Sequence, residues 1–239
     1  MTDPSPETLG ASYVPDLAEE EIDQIRRWHE QAYAQGRAEG LSSQSFDYLG
    51  LVVVVPPDVM PVTGVSQLLG EAVLAEVGPG DTVLDMGTGS GVNAILAASK
   101  GARVVAVDIN PHALAAARHN AELNKLADLV EVRHSDVFSA VAERFDLIVF
   151  DLPFRWFAPR DVFEAAMTDE NYATMTRFFS EARQHLAPGG RMLIFFGTSG
   201  DIGYLRRLIS KEGFSARVLA EGEAVRGDRK VEYFSYLVS

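Results

Sequence analysis

The residues of this chain best suited to chemistry are carboxylates and glycines that follow short apolar runs. Val83-Leu84-Asp85-Met86-Gly87-Thr88-Gly89-Ser90-Gly91 carries one such run through an acidic residue into a glycine-rich turn. Glycines there let a ligand approach the backbone and allow dihedrals that other residues avoid. A bare Gly-x-Gly is explained equally well by a tight strand-to-helix connection, so the loop takes its meaning from the acids downstream of it. Asp108 closes the next apolar run, where a carboxylate accepts hydrogen bonds from ribose hydroxyls. Asp136 comes after the third run, placed to accept from an adenine exocyclic amine; taken singly it reads as a turn aspartate. Three acids after three successive runs point to one ligand. The dinucleotide loop needs a third glycine where this chain has Val92. Asp85 places a fixed negative charge beside the loop, which suits an ammonium or sulfonium better than a pyrophosphate. A cationic nucleoside is the ligand these residues describe.

A fourth run, Phe145 to Phe150, delivers Asp151-Leu152-Pro153-Phe154 to the same edge. The structural alternative is a Pro-Phe turn closing a βα unit, with Phe154 in the core. Arg155-Trp156-Phe157-Ala158-Pro159-Arg160 extends the segment with two aromatics and two arginines. Arg155, Trp156 and Phe157 suit a substrate lid, and the aromatics equally suit a buried anchor or a subunit contact. Tyr172, nearby, is open between the same readings.

The elements that must position these residues can be read from periodicity. From Gly78 onward, short β-branched runs alternate with helical stretches, the signature of βαβ units and a mostly parallel sheet. Strands are expected near 82–85, 103–108, 130–134, 145–150, 191–196, 216–220 and 231–238, with helices near 92–99, 111–124, 170–185 and 202–211. Pro111 suits a helix start and Pro188-Gly189-Gly190 a sharp stop before the next strand. The polar stretch from Glu221 to Lys230 needs no helix, so the last strand is free to pair antiparallel. Ahead of this domain, residues 1–60 form an accessory segment, a substrate cap or dimer contact. It comprises a loose tail from Met1 to Pro15 and a helix carrying Ile22, Ile25, Trp28, Ala32 and Tyr33 on one face. A strand from Phe46 to Val55 then ends at Pro56-Pro57. A helix near 65–77 opens the domain of residues 61–239.

Together, these motifs resemble the class I S-adenosylmethionine-dependent methyltransferases over about Val62 to Ser239. The resemblance implies a Rossmann-like α/β fold with seven strands, the last reversed. Within it, Asp151-Leu152-Pro153-Phe154 is similar to the Asp/Asn-Pro-Pro-Tyr/Phe tetrapeptide of amino-methyltransferases, including adenine N6 enzymes and release-factor glutamine methyltransferases. The segment from Val55 to Gly64 is similar to the one preceding the glycine loop in the glutamine enzymes. The implied cofactor is S-adenosylmethionine, leaving as S-adenosylhomocysteine. The implied cofactor set is Asp85, Gly87, Thr88, Gly89, Gly91, Asn93, Asp108, Ile109, Asp136, Val137 and Thr63. Catalysis falls to Asp151, Leu152, Pro153 and Phe154: Asp151 or the Leu152 carbonyl accepts N–H hydrogen bonds and aims the nitrogen lone pair, and Phe154 stacks on a planar substrate or lines the path of the cationic methyl. Substrate contacts fall to Arg155, Trp156, Phe157 and Tyr172. Leu152 stands where the family has its first proline, which loosens the loop. Aspartate replaces the asparagine common where glutamine is the target. The first expectation is therefore an N-methyltransferase of a small amine or amide metabolite. A protein glutamine methyltransferase is the alternative, and a nucleic-acid amino-methyltransferase comes third. A nicotinamide-dependent oxidoreductase and a catalytically silent nucleoside-binding protein are readings from other classes.

Composition narrows the field. The chain has 239 residues, 47% apolar and 23% charged, as expected of a globular protein rather than a disordered or fibrous one. Lys and Arg number 21 against 34 Asp and Glu, and the resulting charge of −13 repels phosphate backbones and anionic membranes. The absence of cysteine removes disulfides, thiolate nucleophiles and Cys-ligated metals, and makes the cytoplasm the expected compartment. The five histidines form no His-Glu-x-x-His pattern, so no metal is expected. A nucleophile elbow needs glycine two residues before and after its serine; Ser90 has Thr88 and Val92 there, Ser199 has Gly197 but Asp201, and the start has no signal-peptide pattern. A small-molecule partner and a monomer or homodimer complete the expectation.

Overall fold

The computed structural model describes residues 13–39, 41–226 and 229–239. A helix α1 (Glu19–Glu39) precedes a hairpin, β1 (Gln44–Tyr48) and β2 (Leu51–Val55), and a helix α2 (Gln67–Glu76). Strands and helices then alternate through β3 (Thr82–Met86), α3 (Val92–Ser99), β4 (Arg103–Asp108), α4 (Pro111–Leu123), β5 (Val130–His134) and β6 (Phe145–Asp151). After a long connection come α5 (Ala173–Ala182), β7 (Leu186–Gly197), α6 (Ile202–Lys211), β8 (Ala216–Arg226) and β9 (Arg229–Val238). The main sheet has seven strands in the order β5-β4-β3-β6-β7-β9-β8. Strand β9 runs antiparallel to both neighbours, and the pairings from β5 through β7 are parallel. This is the expected Rossmann-like sheet with a reversed last strand. Connections leave β3 and β6 for opposite edges of the sheet, which opens a crevice at their carboxyl ends.

The apolar runs are continuous because both faces of the sheet are covered. In β6, Leu147 and Val149 face a core shared with α2, α3 and β2, whereas Ile148 and Phe150 face a second core with α5 and α6. Each of these side chains is at most 4% exposed, and burial on that scale stabilises by roughly 1.5–3 kcal/mol per large apolar residue.

Several local features differ from the sequence reading. The single strand expected from Phe46 to Val55 is a hairpin, turned at Leu49 (φ 49°) and Gly50 (φ 87°). Consecutive positive φ values match the twist of paired strands, so the interruption at Gly50 marks a turn. The hairpin docks on α4 through two side-chain amides. Asn120 exchanges hydrogen bonds with the Val54 backbone at 2.8 and 2.9 Å, and Asn124 does so with Val52 at 2.7 and 3.0 Å. Pro188-Gly189-Gly190 does not stop the chain before β7 but lies within it, where Gly190 fits against the Phe145 carbonyl. The helix expected over 170–185 is broken ahead of α5 because Asn171 and Tyr172 are left-handed, and its last turn, Arg183–His185, tightens after α5. Strands β8 and β9 extend into the stretch expected to be a loop. Most of the expected loose tail lies outside the described residues.

Helix α1 lies along the connection between β6 and α5. His29 Nε2 and Glu164 Oε1 are 2.6 Å apart, both buried, and Arg160 donates to the same carboxylate. Burial pushes the Glu164 pKa up, but the Arg160 and His29 hydrogen bonds outweigh it and hold this carboxyl well below the usual range. Burial likewise keeps the His29 pKa down. Tyr33 donates to Asp161 at 2.7 Å, and Arg37 pairs with Asp58. No helix among the described residues is long and apolar enough to cross a membrane.

Candidate active site

The glycine loop comes directly after β3 because its backbone must turn sharply there and because a buried carboxylate braces it. Asp85, 1% exposed, accepts from Thr88 Oγ1 at 2.5 Å and from the Ala94 N–H at 3.1 Å, which joins the loop to the first turn of α3. Asp85, expected in the cofactor set, lies beneath the loop and outside the linings of the two cavities described below. Burial is the main reason its pKa is pushed up to about 7, and the Asp108 charge adds to it. The glycines divide their work. Gly87 (φ 63°) and Gly89 (φ 55°) line the crevice, and a Cβ on Gly89 would meet nothing within 4 Å. Gly91 (φ 83°) stays outside the crevice lining; a Cβ there would come within 2.8 Å of Ala117 Cα on α4. It supplies the close packing of α3 that a dinucleotide loop obtains one position later.

The crevice is a cleft of about 970 Å³. Thr88, Asn93, Asp108, Ile109, Asp136 and Val137 line it with the two glycines, so most of the expected cofactor set converges. Asp108, half-buried, is anchored by the Gly89 N–H at 2.9 Å and the Asn110 N–H at 2.8 Å. Burial raises its pKa, and those backbone donors oppose the rise. Ile109 is 47% exposed, an apolar side chain left open beside the expected ribose site. Asp136 is already engaged: Arg177 Nη1 donates to its carboxylate at 2.9 Å. Both partners are exposed, and such a pair is worth about 0–1 kcal/mol, so a ligand amine can displace it. Of the expected cofactor set, Asp85, Gly91 and Thr63 stay outside the cleft lining. Thr63 lies in a second cavity, beside Ser66.

That second cavity, about 550 Å³, lies on the other side of the tetrapeptide. Asp151 and Pro153 line the cleft, whereas Leu152 and Phe154 line the second cavity together with Asp151. Asp151 therefore stands where the two spaces adjoin. It is exposed to cleft water, yet protein surrounds its carboxyl; that surrounding, with the Asp85 charge, pushes its pKa up, and the water limits the push. Leu152 is 1% exposed, and its N–H reaches the Phe195 carbonyl at 3.4 Å. Phe154 packs on Phe196 and Tyr233. The remaining walls come from Trp28 and Ala32 of α1, the approach to α2, and Gly222 to Ala224 of β8.

The expected substrate residues do not form a lid. Arg155, 6% exposed, lines the second cavity with its guanidinium 5.8 Å from the Phe154 ring. Trp156 is buried against Tyr13 and Tyr172, Phe157 packs against His29 and Arg26 of α1, and Tyr172 has no exposed surface; none of the three lines either cavity. Sequence reasoning missed Arg177, Trp28 and the β8 wall. Nothing local marks them, since each reaches the site from a distant element.

These arrangements have counterparts among known proteins. A family model described as the methyltransferase small domain matches residues 63–208. The release factor glutamine methyltransferase of Cereibacter sphaeroides is 37% identical over 145 residues, covering 54% of this chain and 50% of that protein. A ribosomal protein L11 methyltransferase of Pelotomaculum thermopropionicum is 42% identical over 118 residues, covering 49% and 32%. The chain thus spans half or less of the length of the curated relatives it matches. Among solved structures, the ribosomal protein L11 methylase of Lactobacillus delbrueckii subsp. bulgaricus superposes with a TM-score of 0.59 at 19% identity, over 82% of this chain and 98% of that one. Trm5b of Pyrococcus abyssi gives 0.59 at 23% identity, over 83% and 56%. At those identities the likeness establishes the fold. The family match covers more than half of the sequence, including the glycine loop, the strand-end acids and the tetrapeptide, and by it the chain belongs to the methyltransferase small domain family.

Proposed function

We propose that this chain is an S-adenosylmethionine-dependent methyltransferase that modifies a nitrogen of a protein substrate. The observation that carries the reading is the tetrapeptide as a partition, with Asp151 at the junction between the cleft and the second cavity. The cleft fits the cofactor's chemistry. Gly89 leaves open space for a ligand against its backbone, Asp108 offers a carboxylate fixed by two N–H donors, and Asp85 holds a buried charge without a basic partner at hydrogen-bonding distance. In this reading Asp108 binds the ribose hydroxyls, Gly87 and Gly89 admit the methionine portion, and Asp136 exchanges Arg177 for the adenine amine. S-adenosylmethionine supplies an electrophilic methyl on a sulfonium when bound.

The protein's own contribution is alignment, because displacement at a sulfonium methyl needs mainly proximity and direction. Asp151 accepts an N–H of the incoming nitrogen and turns its lone pair toward the cleft. Leu152, Phe154, Phe195 and Trp28 keep water from the second cavity, through which the acceptor reaches Asp151. An ionised carboxylate only accepts hydrogen bonds. An amine and a primary amide both offer it N–H donors, and Arg155 in the same lining can meet an amide carbonyl. Trp28 and Ala32 of helix α1 wall this cavity, so the accessory segment caps the acceptor through that face in the same reading.

The small-metabolite acceptor expected at first gives way to its protein alternative. Support comes from the relatives' names, which specify release factor and ribosomal protein L11 methylation. The charge of −13 suits a basic protein partner and opposes RNA phosphate. Titration calorimetry with S-adenosylmethionine and with NAD separates the enzyme classes: binding of the former alone is expected, and binding of NAD alone overturns the reading. Incubation of ribosomal-protein, release-factor and metabolite fractions with methyl-labelled cofactor then identifies the acceptor. Label confined to metabolites removes the protein assignment.

A further inference from the structure

The tetrapeptide is held by a strut from a residue that lies outside both cavities. The phenol of the buried Tyr172 donates to the Phe154 carbonyl oxygen at 2.6 Å and accepts the Asp201 N–H at 2.8 Å. It thus joins the last residue of the tetrapeptide to the N-cap of α6. That cap is itself fixed, since Asp201 accepts from Tyr13 Oη at 2.6 Å and from the Tyr204 N–H at 2.7 Å. Gly200 completes the junction: a Cβ there would overlap the Phe154 carbonyl, so this carbonyl is seated directly against the turn between β7 and α6. The Tyr172 ring stacks on Tyr204 with centroids 5.3 Å apart and planes at 11°.

The backbone is bent to make this reach. Asn171 and Tyr172 both take left-handed φ values, 54° and 53°. That conformation costs non-glycine residues roughly 1–2 kcal/mol each and persists where the surroundings over-determine it. The Asn171 N–H bonds the Trp156 carbonyl at 3.0 Å and the Tyr172 N–H bonds the Asp169 carbonyl at 2.8 Å, which fixes both residues. Upstream, Asp151 ends β6 and pairs with Phe195 of β7. Past that ladder Leu152 stands where a proline would lock φ, and its N–H reaches the Phe195 carbonyl at a long 3.4 Å. Beyond the strand, the short restraint on the turn is the one at Phe154.

We infer that Tyr172 is a positioning residue whose phenol, by fixing the Phe154 carbonyl, holds the turn from Leu152 to Phe154 that seats the acceptor beside Asp151 at the junction of the two cavities. This rests on the reading of Asp151 to Phe154 as the acceptor loop. A phenylalanine would fill the same space, so a packing role and a positioning role make different predictions.

Tyr172→Phe removes both hydrogen bonds and keeps the ring. Tyr33→Phe is the control, because it removes a 2.7 Å hydrogen bond to Asp161 in the same connection at a residue that lines neither cavity. S-adenosylhomocysteine is the binding probe, hydrogen–deuterium exchange reports the Leu152 to Trp156 amides, and labelled methyl transfer into a ribosomal-protein fraction reports turnover. Tyr172→Phe is expected to bind the probe within about twofold of the parent and to raise exchange at those amides about tenfold or more. Its kcat should fall about tenfold with the cofactor KM unchanged. Gly200→Ala, by displacing the carbonyl from the phenol, should raise exchange in the same segment, and Tyr33→Phe should change none of these quantities. Unchanged exchange in Tyr172→Phe, an equal rise in Tyr33→Phe, or raised exchange at full kcat overturns the inference and leaves the proposed function standing. Failure of the parent protein to bind the probe overturns the proposed function instead, and the exchange comparison still reads the strut.

Discussion

Asp85, Asp108 and Asp151 share one end of the sheet, and their surroundings give them different work. Asp85 is buried beneath the glycine loop, with a pKa pushed up to about 7 from an ordinary unfolded value near 3.9. An acid raised on folding stabilises fully below its unfolded pKa and loses that contribution as pH rises through the folded one. Through this group the ligand-free protein should lose stability between about pH 4 and pH 7. A sulfonium nearby offsets the buried charge, and a neutral thioether does not. The thermal-shift gain with S-adenosylmethionine should therefore exceed that with S-adenosylhomocysteine by a wider margin at pH 8 than at pH 5.5, within the range where Asp85 ionises. Equal margins at both pH values would remove the charge role assigned to Asp85. Asp108→Ala should weaken S-adenosylhomocysteine about a hundredfold, since it deletes an acceptor worth roughly 1.5–3 kcal/mol per charged hydrogen bond. Asp151→Asn should keep that affinity within about twofold and depress turnover. Calorimetry beside a labelled-methyl assay checks both, and equal losses of affinity would contradict their separation.

The start of α3 shows how one short motif serves two purposes. Gly89 has open space where a side chain would begin, whereas Gly91 touches the backbone of α4. Gly89→Ala carries mainly the left-handed strain, about 1 kcal/mol, and intrudes on the ligand's approach. Its affinity for S-adenosylhomocysteine should fall by more than its stability accounts for. Gly91→Ala adds a steric overlap to the same strain and should lower stability by about 2–4 kcal/mol, with the melting temperature as the readout. If the two variants show the same balance of affinity and stability loss, the division is wrong. The sequence exposed the triplet, because glycine after a strand is a local signal, but the partner each glycine meets belongs to α4 or to the cleft. For the same reason Gly50 was visible as an interruption although the hairpin was not. Its register depends on pairing across the turn and on the amides of Asn120 and Asn124, which arrive from α4.

As a whole the molecule is acidic, and the second cavity adjoins its candidate cofactor cleft at Asp151. Glu223 lines that cavity, and Asp169, Glu170 and Glu181 line the cleft. A basic protein acceptor would be drawn in by long-range attraction, which salt screens with a Debye length of about 10 Å at 0.1 M. For such an acceptor, kcat/KM should fall several-fold as ionic strength rises from about 0.05 to 0.3 M, and kcat should hold steady. Rates measured across a salt series would check this, and a salt-independent kcat/KM would favour an uncharged acceptor.

By itself the sequence determined the alternation of strands and helices from β3 onward, the glycine loop, the acids at the strand ends and the tetrapeptide. These are local properties, written in apolar runs, in alternation and in the conformational freedom of glycine. Tertiary structure alone decided that Asp85 braces the loop from beneath, that Arg177 already holds Asp136, and that Trp156, Phe157 and Tyr172 support the site from outside its cavities. It also decided that a second cavity exists. Its walls come from α1, the approach to α2, the tetrapeptide and β8, and Trp28 and Glu223 meet there only because a seven-stranded sheet returns the end of the chain to its beginning. Spacing along a chain records which face a residue occupies. Which distant face it meets depends on how every intervening element packs.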